Sequence, residues 1–355
     1  MKKNLLLTSQ DYGSGVNLIP LYNNTRLHDL FNVGVILSGP SCSLMSKRNT
    51  VKESGVKKGL SLIYNIQTTE NIAHKAKQCI EDFKPDILMT GISGIGIGVD
   101  EAALSLCKGH IKTFSYQDYW GHLNYSIEMQ ADHLFVLDSL AAQITSEKSS
   151  SAITIAGAMK YEYYDQYCKE EIYQQLQNSK NLTDKYWVFV GQPLWHLESY
   201  KRTLEIVSDK AGKEKRKLFY IPHPAESPKE HNNIDLLRIN FYSESLGVNK
   251  EAFTLNAEKM VTCYSSFAFD ILLLKKILQQ DTPDVVVLLL YDEMREFHQR
   301  HSGGLSFFPL KGKGITEISS VKDLDLLFHS PSNKESFSLD CYQNATEKII
   351  NCLNS

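Results

Sequence analysis

Two short stretches in the second half of the chain each end a buried strand on polar, reactive side chains. The first, Leu218–Glu226, places His223 between two prolines. Proline fixes its own φ and disfavours helix in the preceding residue, so the histidine is held in an extended turn. The second, Val261–Asp270, gives way at Ser265-Ser266 to apolar residues at helical spacing. Hydroxyls and unpaired backbone N–H groups at a helix start bind anions, so the two strand ends predict a phosphate-bearing ligand.

A third strand end in this half carries Gly191 and Gln192. A glycine at this place lets the backbone approach a ligand closely. The glutamine amide is able to donate a hydrogen bond to a base or a sugar hydroxyl. A simple strand-to-helix turn is the alternative for this pair, as an ordinary helix cap is for the two serines.

The first half supplies groups for proton transfer and for stacking on a sugar. A base that deprotonates a hydroxyl is predicted among three carboxylates, those of Asp11, Glu101 and Asp118. The segment after the strand 111–116 adds aromatic and imidazole groups that fit the face of a sugar: Tyr119, Trp120 and His122. The alternatives are a packed loop around Asp118 and an ordinary first helical turn at Glu101.

Several classes of function are disfavoured by composition and motifs. The glycine-rich run 91–98 is neither a dinucleotide fingerprint nor a Walker loop, because its glycines alternate and no Lys-Ser/Thr follows. A net charge of -3 gives no global attraction to nucleic acid. Seven cysteines without CxxC spacing indicate reduced thiols, with neither a disulfide framework nor a metal site.

The expected location is the cytoplasm. The amino terminus has only a three-residue apolar stretch, Leu5–Leu7, which predicts a first strand and not a signal peptide. A basic cluster at residues 210–217 allows at most peripheral association with the inner face of a membrane.

The elements that must position these side chains alternate between strands and helices, which indicates an α/β fold with parallel sheets and helices on both faces. We predict two doubly wound, Rossmann-like domains that face a deep cleft. The predicted organisation is an N-terminal domain over 1–165, a linker over 166–184, a second domain over 185–335, and a C-terminal helix over 336–355 that packs back on the first domain.

His223-Pro224 followed by Ser265-Ser266, together with Val-Gly-Gln-Pro-Leu at 190–194, resembles bacterial sialyltransferases and polysialyltransferases that use CMP-activated sugars. The resemblance implies a GT-B architecture and an inverting, metal-independent glycosyltransferase without a cofactor. Its partners would be a CMP-linked nucleotide sugar as donor of an acidic nonulosonate or a similar acidic sugar, held by the second domain, and a glycan acceptor. It also implies that the histidine and serines contact the donor phosphate, with Pro224 beside them. The Asp/Glu-Asp/Glu-Gly motif that supplies the base in such families is absent, since Ala102 follows Glu101.

The same layout is similar to nonhydrolysing UDP-sugar 2-epimerases and related UDP-sugar hydrolases, which share a His-Pro strand end. Their Ser-Gly-Gly-x-x-Glu signature is replaced here by Ser-Ser-Phe-Ala-Phe-Asp at 265–270. A UDP-sugar 2-epimerase or hydrolase is therefore the alternative to glycosyl transfer.

Overall fold

The chain divides into two compact units in a computed structural model. Unit 1 contains residues 1–167, 301–303 and 340–355, and unit 2 contains residues 168–300 and 304–339. The structure describes residues 1–48, 62–66, 71–94, 96–179, 185–224, 226–227, 239–243, 245, 247–325 and 337–355. Among these described residues, every helix is too short or too polar to cross a lipid bilayer.

Unit 1 is built on a seven-stranded parallel sheet in the order β3-β2-β1-β4-β5-β6-β7. Its strands are β1 (Lys3–Ser9), β2 (Phe31–Ser38), β3 (Leu62–Ile66), β4 (Ile87–Thr90), β5 (Lys112–Tyr116), β6 (His133–Val136) and β7 (Ala152–Ile155). The chain runs outward from β1 to β3 and then returns to place β4 on the other side of β1. The loops after β1 and β4 consequently leave the sheet in opposite directions, which opens a crevice at the carboxyl ends of these strands.

The helices of unit 1 cover this sheet. They are α1 (Tyr12–Asn23), α2 (Thr25–Leu30), α3 (Pro40–Arg48), α4 (Ile72–Phe83), α5 (Val99–Cys107), α6 (Ser139–Ser146), α7 (Met159–Tyr163) and the C-terminal helix, here α13 (Ala345–Asn354). Leu6, Ile36 and Leu88 of the central strands pack against Val99 and Ala103 of α5 in a buried cluster. Strands buried on both faces leave polar groups only at their ends.

Unit 2 repeats the plan with a six-stranded parallel sheet in the order β10-β9-β8-β11-β12-β13. Its strands are β8 (Tyr186–Val190), β9 (Lys217–Ile221), β10 (Asn240–Phe241), β11 (Lys259–Thr262), β12 (Asp284–Leu288) and β13 (Ile315–Ile318). Its helices are α8 (Lys169–Ser179), α9 (Glu198–Lys213), α10 (Lys250–Leu255), α11 (Phe267–Ile277) and α12 (Asp292–His301). The order reverses next to β8, so the crevice of this sheet lies at the ends of β8 and β11.

The predicted fold class, two doubly wound parallel sheets, is confirmed. The apolar spacing of Ile72, Ala76, Cys79 and Ile80 predicts a helix over 69–83. Helix α4 covers Ile72–Phe83, and residues 69–70 lie outside the described residues. Sequence patterns did not predict the edge strands β3, β10 and β13. Strand β10 has only two residues, and the two central residues of β13 are polar and only partly buried. Helix α13 contacts α1, α2 and α7 of unit 1. Parts of the predicted linker and second domain, 180–184 and 326–335, are also outside the described residues.

The carboxylate of Asp138 joins three segments of unit 1. It accepts hydrogen bonds from Trp120 Nε1 at 3.0 and 2.9 Å, from the Ala141 backbone N–H at 2.9 Å and from the Tyr342 hydroxyl at 2.8 Å. It therefore caps α6, fixes the loop after β5 and attaches the segment that precedes α13. Both Trp120 and Tyr342 are buried, so neither donor is exposed to bulk water for a substitute partner.

We expect Asp138→Ala to destabilise the protein by about 3 kcal/mol or more, because buried donors left without an acceptor each cost about 1–3 kcal/mol. Urea unfolding followed by circular dichroism measures the loss. Glu147→Ala, at the exposed end of the same helix, is the matched control and should stay within about 0.5 kcal/mol of wild type. Equal midpoints for the two variants would contradict this role of Asp138.

Candidate functional site

The crevice of unit 1 begins with a buried group of serine hydroxyls directly after β1. Ser9 Oγ lies 2.7 Å from both Ser14 Oγ and Ser41 Oγ, and Ser41 Oγ donates to the Asp11 carbonyl at 2.8 Å. The Asp11 carboxylate in turn accepts from the Gly94 backbone N–H at 2.7 Å. These bonds connect the loop after β1 with α1, α3 and the loop after β4, so the predicted carboxylate of Asp11 has a defined position at the switch point.

The carboxylate of Asp118 lies over the first turn of α1. An ideal Cβ built on Gly13 would be 2.6 Å from Asp118 Oδ2, which is too close for any residue but glycine unless the carboxylate moves. Because the amino end of a helix carries a partial positive charge, this place favours a carboxylate. The structure therefore brings Asp118 to the same end of the sheet as Asp11, with Gly13 as the residue that leaves room for it.

The loop that carries Asp118 is held from within by Gln117. This fully buried side chain donates to the His122 carbonyl at 3.1 Å, accepts from the Gly121 N–H at 3.2 Å, and exchanges hydrogen bonds with the Thr145 hydroxyl. A loop braced in this way keeps the side chains that follow β5 in fixed positions. Gln117 is not among the predicted site residues.

His122 and Asp11 influence each other electrostatically within the crevice. Burial lowers the pKa of His122, and the carboxylates of Asp118 and Asp11 oppose that effect while His301 adds to it. Burial raises the pKa of Asp11, with further increases from Asp118 and Glu101. The resulting group combines a histidine that tends towards the neutral form with a carboxyl that holds its proton more tightly than usual. Groups with pKa values shifted in this way are candidates for proton exchange with a bound ligand.

The other predicted residues of the first half have structural contacts. Glu101 is buried, and its carboxylate accepts from the backbone N–H groups of Ser93 and Gly98, both at 3.0 Å. These contacts fit the alternative interpretation of Glu101 as a residue of an ordinary first helical turn. Trp120 is 0% exposed and therefore offers no face for stacking on a sugar. Tyr119 is partly exposed and meets the Trp120 ring edge-on, with 5.7 Å between ring centroids.

In unit 2, a chain of hydrogen bonds connects the ends of β8 and β9. The Gln192 N–H donates to the Tyr200 hydroxyl at 3.0 Å, and that hydroxyl lies 3.0 Å from the Tyr220 hydroxyl. Tyr220 donates to the carboxylate of Glu226 at 2.9 Å, which also accepts from Trp195 Nε1 at 3.1 Å. Because Tyr220 donates to a carboxylate, Tyr200 must donate to Tyr220. Burial raises the pKa of Tyr220 well above its usual value, so both phenols keep their protons.

Glu226 also fixes the predicted histidine. Its carboxylate accepts from the His223 backbone N–H at 3.0 Å, and its own N–H donates to the His223 carbonyl at 2.9 Å. The exposed Pro224 lies inside this turn. Glu226 is not among the predicted site residues, although a glutamate three residues after a histidine in a proline turn is the available signal. The imidazole thus stands on a turn with little conformational freedom.

The predicted pair Ser265-Ser266 consists of two residues with different roles. Ser265 Oγ accepts from the Phe267 N–H at 3.2 Å and so caps α11. Ser266 is exposed and its side chain makes no capping hydrogen bond. One serine therefore holds the helix, and the second presents its hydroxyl to solvent.

A lysine that no sequence pattern indicated lies at the same helix start. The Lys250 ammonium is 5.1 Å from the centroid of the Phe267 ring, the first residue of α11. Lys250 is also near enough to His223 to contribute, after burial, to lowering the pKa of that imidazole. Lys250 Nζ also lies 4.0 Å from a carboxylate oxygen of Glu251. A positive charge beside the positive end of a helix favours binding of an anion there. His223, Lys250 and the start of α11 together have the charge of an anion site.

Gly191 and Gln192 shape the end of β8 by packing. A Cβ on Gly191 would lie 2.3 Å from the Tyr220 hydroxyl and 2.7 Å from Glu226 Oε1, so the position requires glycine. Gln192 is buried, and its Oε1 accepts from the Tyr264 N–H at 2.9 Å. Gln192 thereby ties the loops after β8 and β11 together across the switch point. Within the described residues, no three His, Cys, Asp or Glu side chains are placed to hold a metal ion.

Comparison with known proteins identifies the fold through solved structures. No family model and no curated protein sequence matches the chain. A candidate UDP-N-acetylglucosamine 2-epimerase from Listeria monocytogenes is 14% identical with a TM-score of 0.68, over 100% of this chain and 96% of that one. S. aureus MnaA in complex with UDP is 12% identical with a TM-score of 0.67, over 99% and 96% of the two chains. The UDP-N-acetylglucosamine 2-epimerase from Neisseria meningitidis, solved with UDP-N-acetylglucosamine, is 12% identical with a TM-score of 0.65, over 99% of each.

These matches correct the main functional prediction. They span the whole chain with a GT-B-like fold of two Rossmann-like sheets. Two of the three are named as UDP-N-acetylglucosamine 2-epimerases and the third holds UDP, and none of the three is a CMP-dependent sialyltransferase. The predicted resemblance to sialyltransferases is therefore wrong, and with it the CMP donor and the transfer of an acidic sugar to a glycan. The reason is that a His-Pro strand end and a Ser-Ser helix start serve any nucleotide phosphate, so these motifs do not identify the nucleotide.

The carboxyl of Asp100, next to this crevice, should make stability depend on pH. Its oxygens accept from Thr8 Oγ1 at 2.5 Å, from the Gly91 N–H at 3.1 Å and from Ser93 Oγ at 2.9 Å. Burial, followed by the charge of Glu101, nevertheless raises its pKa from 3.8 to about 7. Between these values the folded protein keeps a proton that the unfolded chain releases. Stability therefore falls as pH rises through this window.

We expect Asp100→Asn to remove this fall, because the amide has no proton to release. Urea unfolding at several pH values between 4 and 7 gives the free energy of unfolding for wild type and variant. The variant should gain stability relative to wild type as the pH increases. A difference between the two proteins that stays constant with pH would show that Asp100 is already ionised when the chain is folded at low pH.

Proposed function

We propose that the protein is an enzyme that acts on a UDP-linked N-acetylhexosamine and inverts the configuration at C2 of the sugar. The observation that carries the proposal is the group at the carboxyl end of the unit 1 sheet. There, Asp118 and Asp11 lie with His122, whose pKa is lowered by burial while that of Asp11 is raised. Inversion at carbon needs one group that removes a proton and one that returns it, and these side chains have the chemistry for both steps.

Inversion at C2 determines which chemical steps these groups must carry out. The proton on C2 is not activated by an adjacent carbonyl, so its removal must be coupled to departure of the nucleotide from C1. The C2–H and C1–O bonds break, a C1–C2 double bond forms, and UDP leaves with the bonding electrons. Return of UDP to C1 with protonation of C2 on the opposite face gives the epimer. The base in unit 1 takes up the first proton, and a neighbouring acid supplies the second.

Binding of the diphosphate is assigned to unit 2. His223, Lys250 and the exposed hydroxyl of Ser266 supply a donor, a positive charge and a further donor at the start of α11. Such a site stabilises negative charge on phosphate oxygens and therefore on a departing nucleotide. The choice of uridine is supported by solved structures of this fold, two of which hold UDP or UDP-N-acetylglucosamine. We assign the acid–base roles in this reaction to Asp11, Asp118 and His122. Glu101 is not assigned such a role, because its carboxylate oxygens cap α5.

Gly13→Ala tests the acid–base role without removing any polar group. The added Cβ would displace the Asp118 carboxylate, which is the movable end of a side chain. We expect the rate of interconversion of UDP-N-acetylglucosamine and its C2 epimer to fall by about 10²-fold, as for a reacting group misplaced by about 1 Å. Asp118→Asn should lower the rate by about 10²–10⁴-fold. Proton NMR in D₂O follows both the epimer and the incorporation of deuterium at C2.

Two controls accompany this experiment. Gly212→Ala, in α9, places a Cβ where no atom lies within 4 Å, and Asp29→Asn removes an exposed carboxylate of unit 1; both should keep the wild-type rate. Full activity of Gly13→Ala would reject Asp118 as a reacting group. Release of free sugar and UDP without epimer would instead identify a hydrolase, in which water adds to C1.

Lys250→Gln tests the anion site of unit 2. We expect the dissociation constant for UDP, measured by isothermal titration calorimetry, to rise about tenfold, since a charge-assisted hydrogen bond to phosphate contributes about 1.5 kcal/mol or more. Lys276→Gln, an exposed lysine near the other end of α11, is the matched control. Equal UDP affinity in the two variants would reject this site, whereas tighter binding of another nucleotide by wild type would reject the choice of uridine only.

A further inference from the structure

Unit 1 contains a polar cavity of about 570 Å³ at the end of α1. The cavity is lined by the junction of α1 and α2 (Asn23–Arg26), by residues 161–162 and 165–167, and by the start of α13 around Thr346. Helix α1 has 12 residues and begins after Asp11, so its final residue lies about 18 Å from that carboxylate along the helix axis. The cavity is consequently at the opposite end of α1 from the acid–base group, and the proposed reaction does not use it.

Two buried polar atoms of the cavity wall lack a hydrogen-bond partner within the described residues. They are the side-chain oxygens Asn23 Oδ1 and Thr346 Oγ1, and both residues line the cavity. Thr346 is only 2% exposed. A buried polar atom without a partner costs about 1–3 kcal/mol. A ligand with hydroxyl groups would satisfy both, because Asn23 accepts and the threonine hydroxyl both donates and accepts.

The surrounding wall is fixed before any ligand enters. Arg26 donates to the Glu347 carboxylate at 2.5 Å and to Asn351 Oδ1 at 2.6 Å, and Asn24 donates to Glu347 at 3.1 Å. The Thr346 backbone N–H donates to the buried carboxylate of Glu162 at 3.1 Å. One side of the cavity is formed by a π-helical turn, Tyr164–Cys168, a local geometry that is frequent at functional sites. A wall organised in this way lowers the entropy cost of binding.

The chemistry of the wall selects the kind of ligand. It offers amides, hydroxyls and the rings of Tyr161 and Tyr167, which suit the hydroxyls and the apolar face of a sugar ring. Its charges are one arginine against the three carboxylates of Glu162, Asp165 and Glu347, and that arginine is already paired with Glu347. This balance disfavours phosphates and acidic sugars. We propose that the cavity is a second binding site of unit 1, for a neutral saccharide of about two rings.

Titration of wild type with neutral disaccharides tests this site. The probes are N,N′-diacetylchitobiose, maltose and cellobiose, with N-acetylneuraminic acid as the acidic comparison, followed by saturation-transfer NMR and calorimetry. At least one neutral probe should bind, the acidic one should not, and saturating UDP should leave the binding unchanged. Failure of all three neutral probes to bind at millimolar concentration would overturn the proposal, as would displacement by UDP. Neither result bears on epimerase activity, which is measured separately.

Thr346→Val separates binding from folding, because valine keeps the shape of threonine and removes only the hydroxyl without a partner. We expect the affinity for the bound disaccharide to fall roughly three- to tenfold, the loss of one neutral hydrogen bond, while the unfolding midpoint stays equal or rises. Thr203→Val is the matched control: this buried threonine donates to the Ser199 carbonyl at 2.8 Å. The control should lower the midpoint and leave saccharide binding intact. Unchanged affinity in Thr346→Val would overturn the assignment.

Discussion

The order of the strands is the constraint on which the rest of this structure depends. In each unit the chain places the second and third strands on one side of the first strand and then crosses to the other side, so that β1 adjoins β4 and β8 adjoins β11. Strands that are apolar on both faces admit polar groups only at their ends. The loops after β1 and β8 part from those after β4 and β11, and reactive side chains therefore collect in the resulting crevices.

Buried polar groups in a crevice destabilise the fold unless they form hydrogen bonds. Many polar residues of these two crevices serve to form such bonds. Glu101 accepts from the backbone at the start of α5, Gln117 closes the loop after β5, and Glu226 accepts from three residues of unit 2. The polar side-chain atoms of these residues are occupied by hydrogen bonds within the protein. They instead leave Asp118, His122 and His223 as the side chains held in place by the others, which is how a rigid frame prepares reacting groups.

The two crevices differ in charge, and this difference assigns them different chemistry. In unit 1, carboxylates surround a histidine whose pKa burial has lowered. In unit 2, a lysine and a helix start flank His223, whose pKa is also lowered, first by burial and then by Lys250. The first environment suits proton exchange and the second suits an anion. The cavity near Thr346 belongs to neither, since it combines unpaired neutral oxygens with an excess of carboxylates, and so favours an uncharged ligand.

The amino-acid sequence alone determined the alternation of strands and helices and the strand ends at Asp11, Asp118, His223 and Ser265, because local periodicity and proline or serine chemistry are properties of neighbouring residues. It did not determine which of these residues meet. The position of Lys250 against Phe267, and of Asp118 against Gly13, follows from strand order, which arises from burial of distant segments. The nucleotide was also beyond local motifs, since histidine and serine at strand ends bind any phosphate. Only the tertiary structure decided which of these residues meet, because contacts between residues far apart in the chain leave no local pattern.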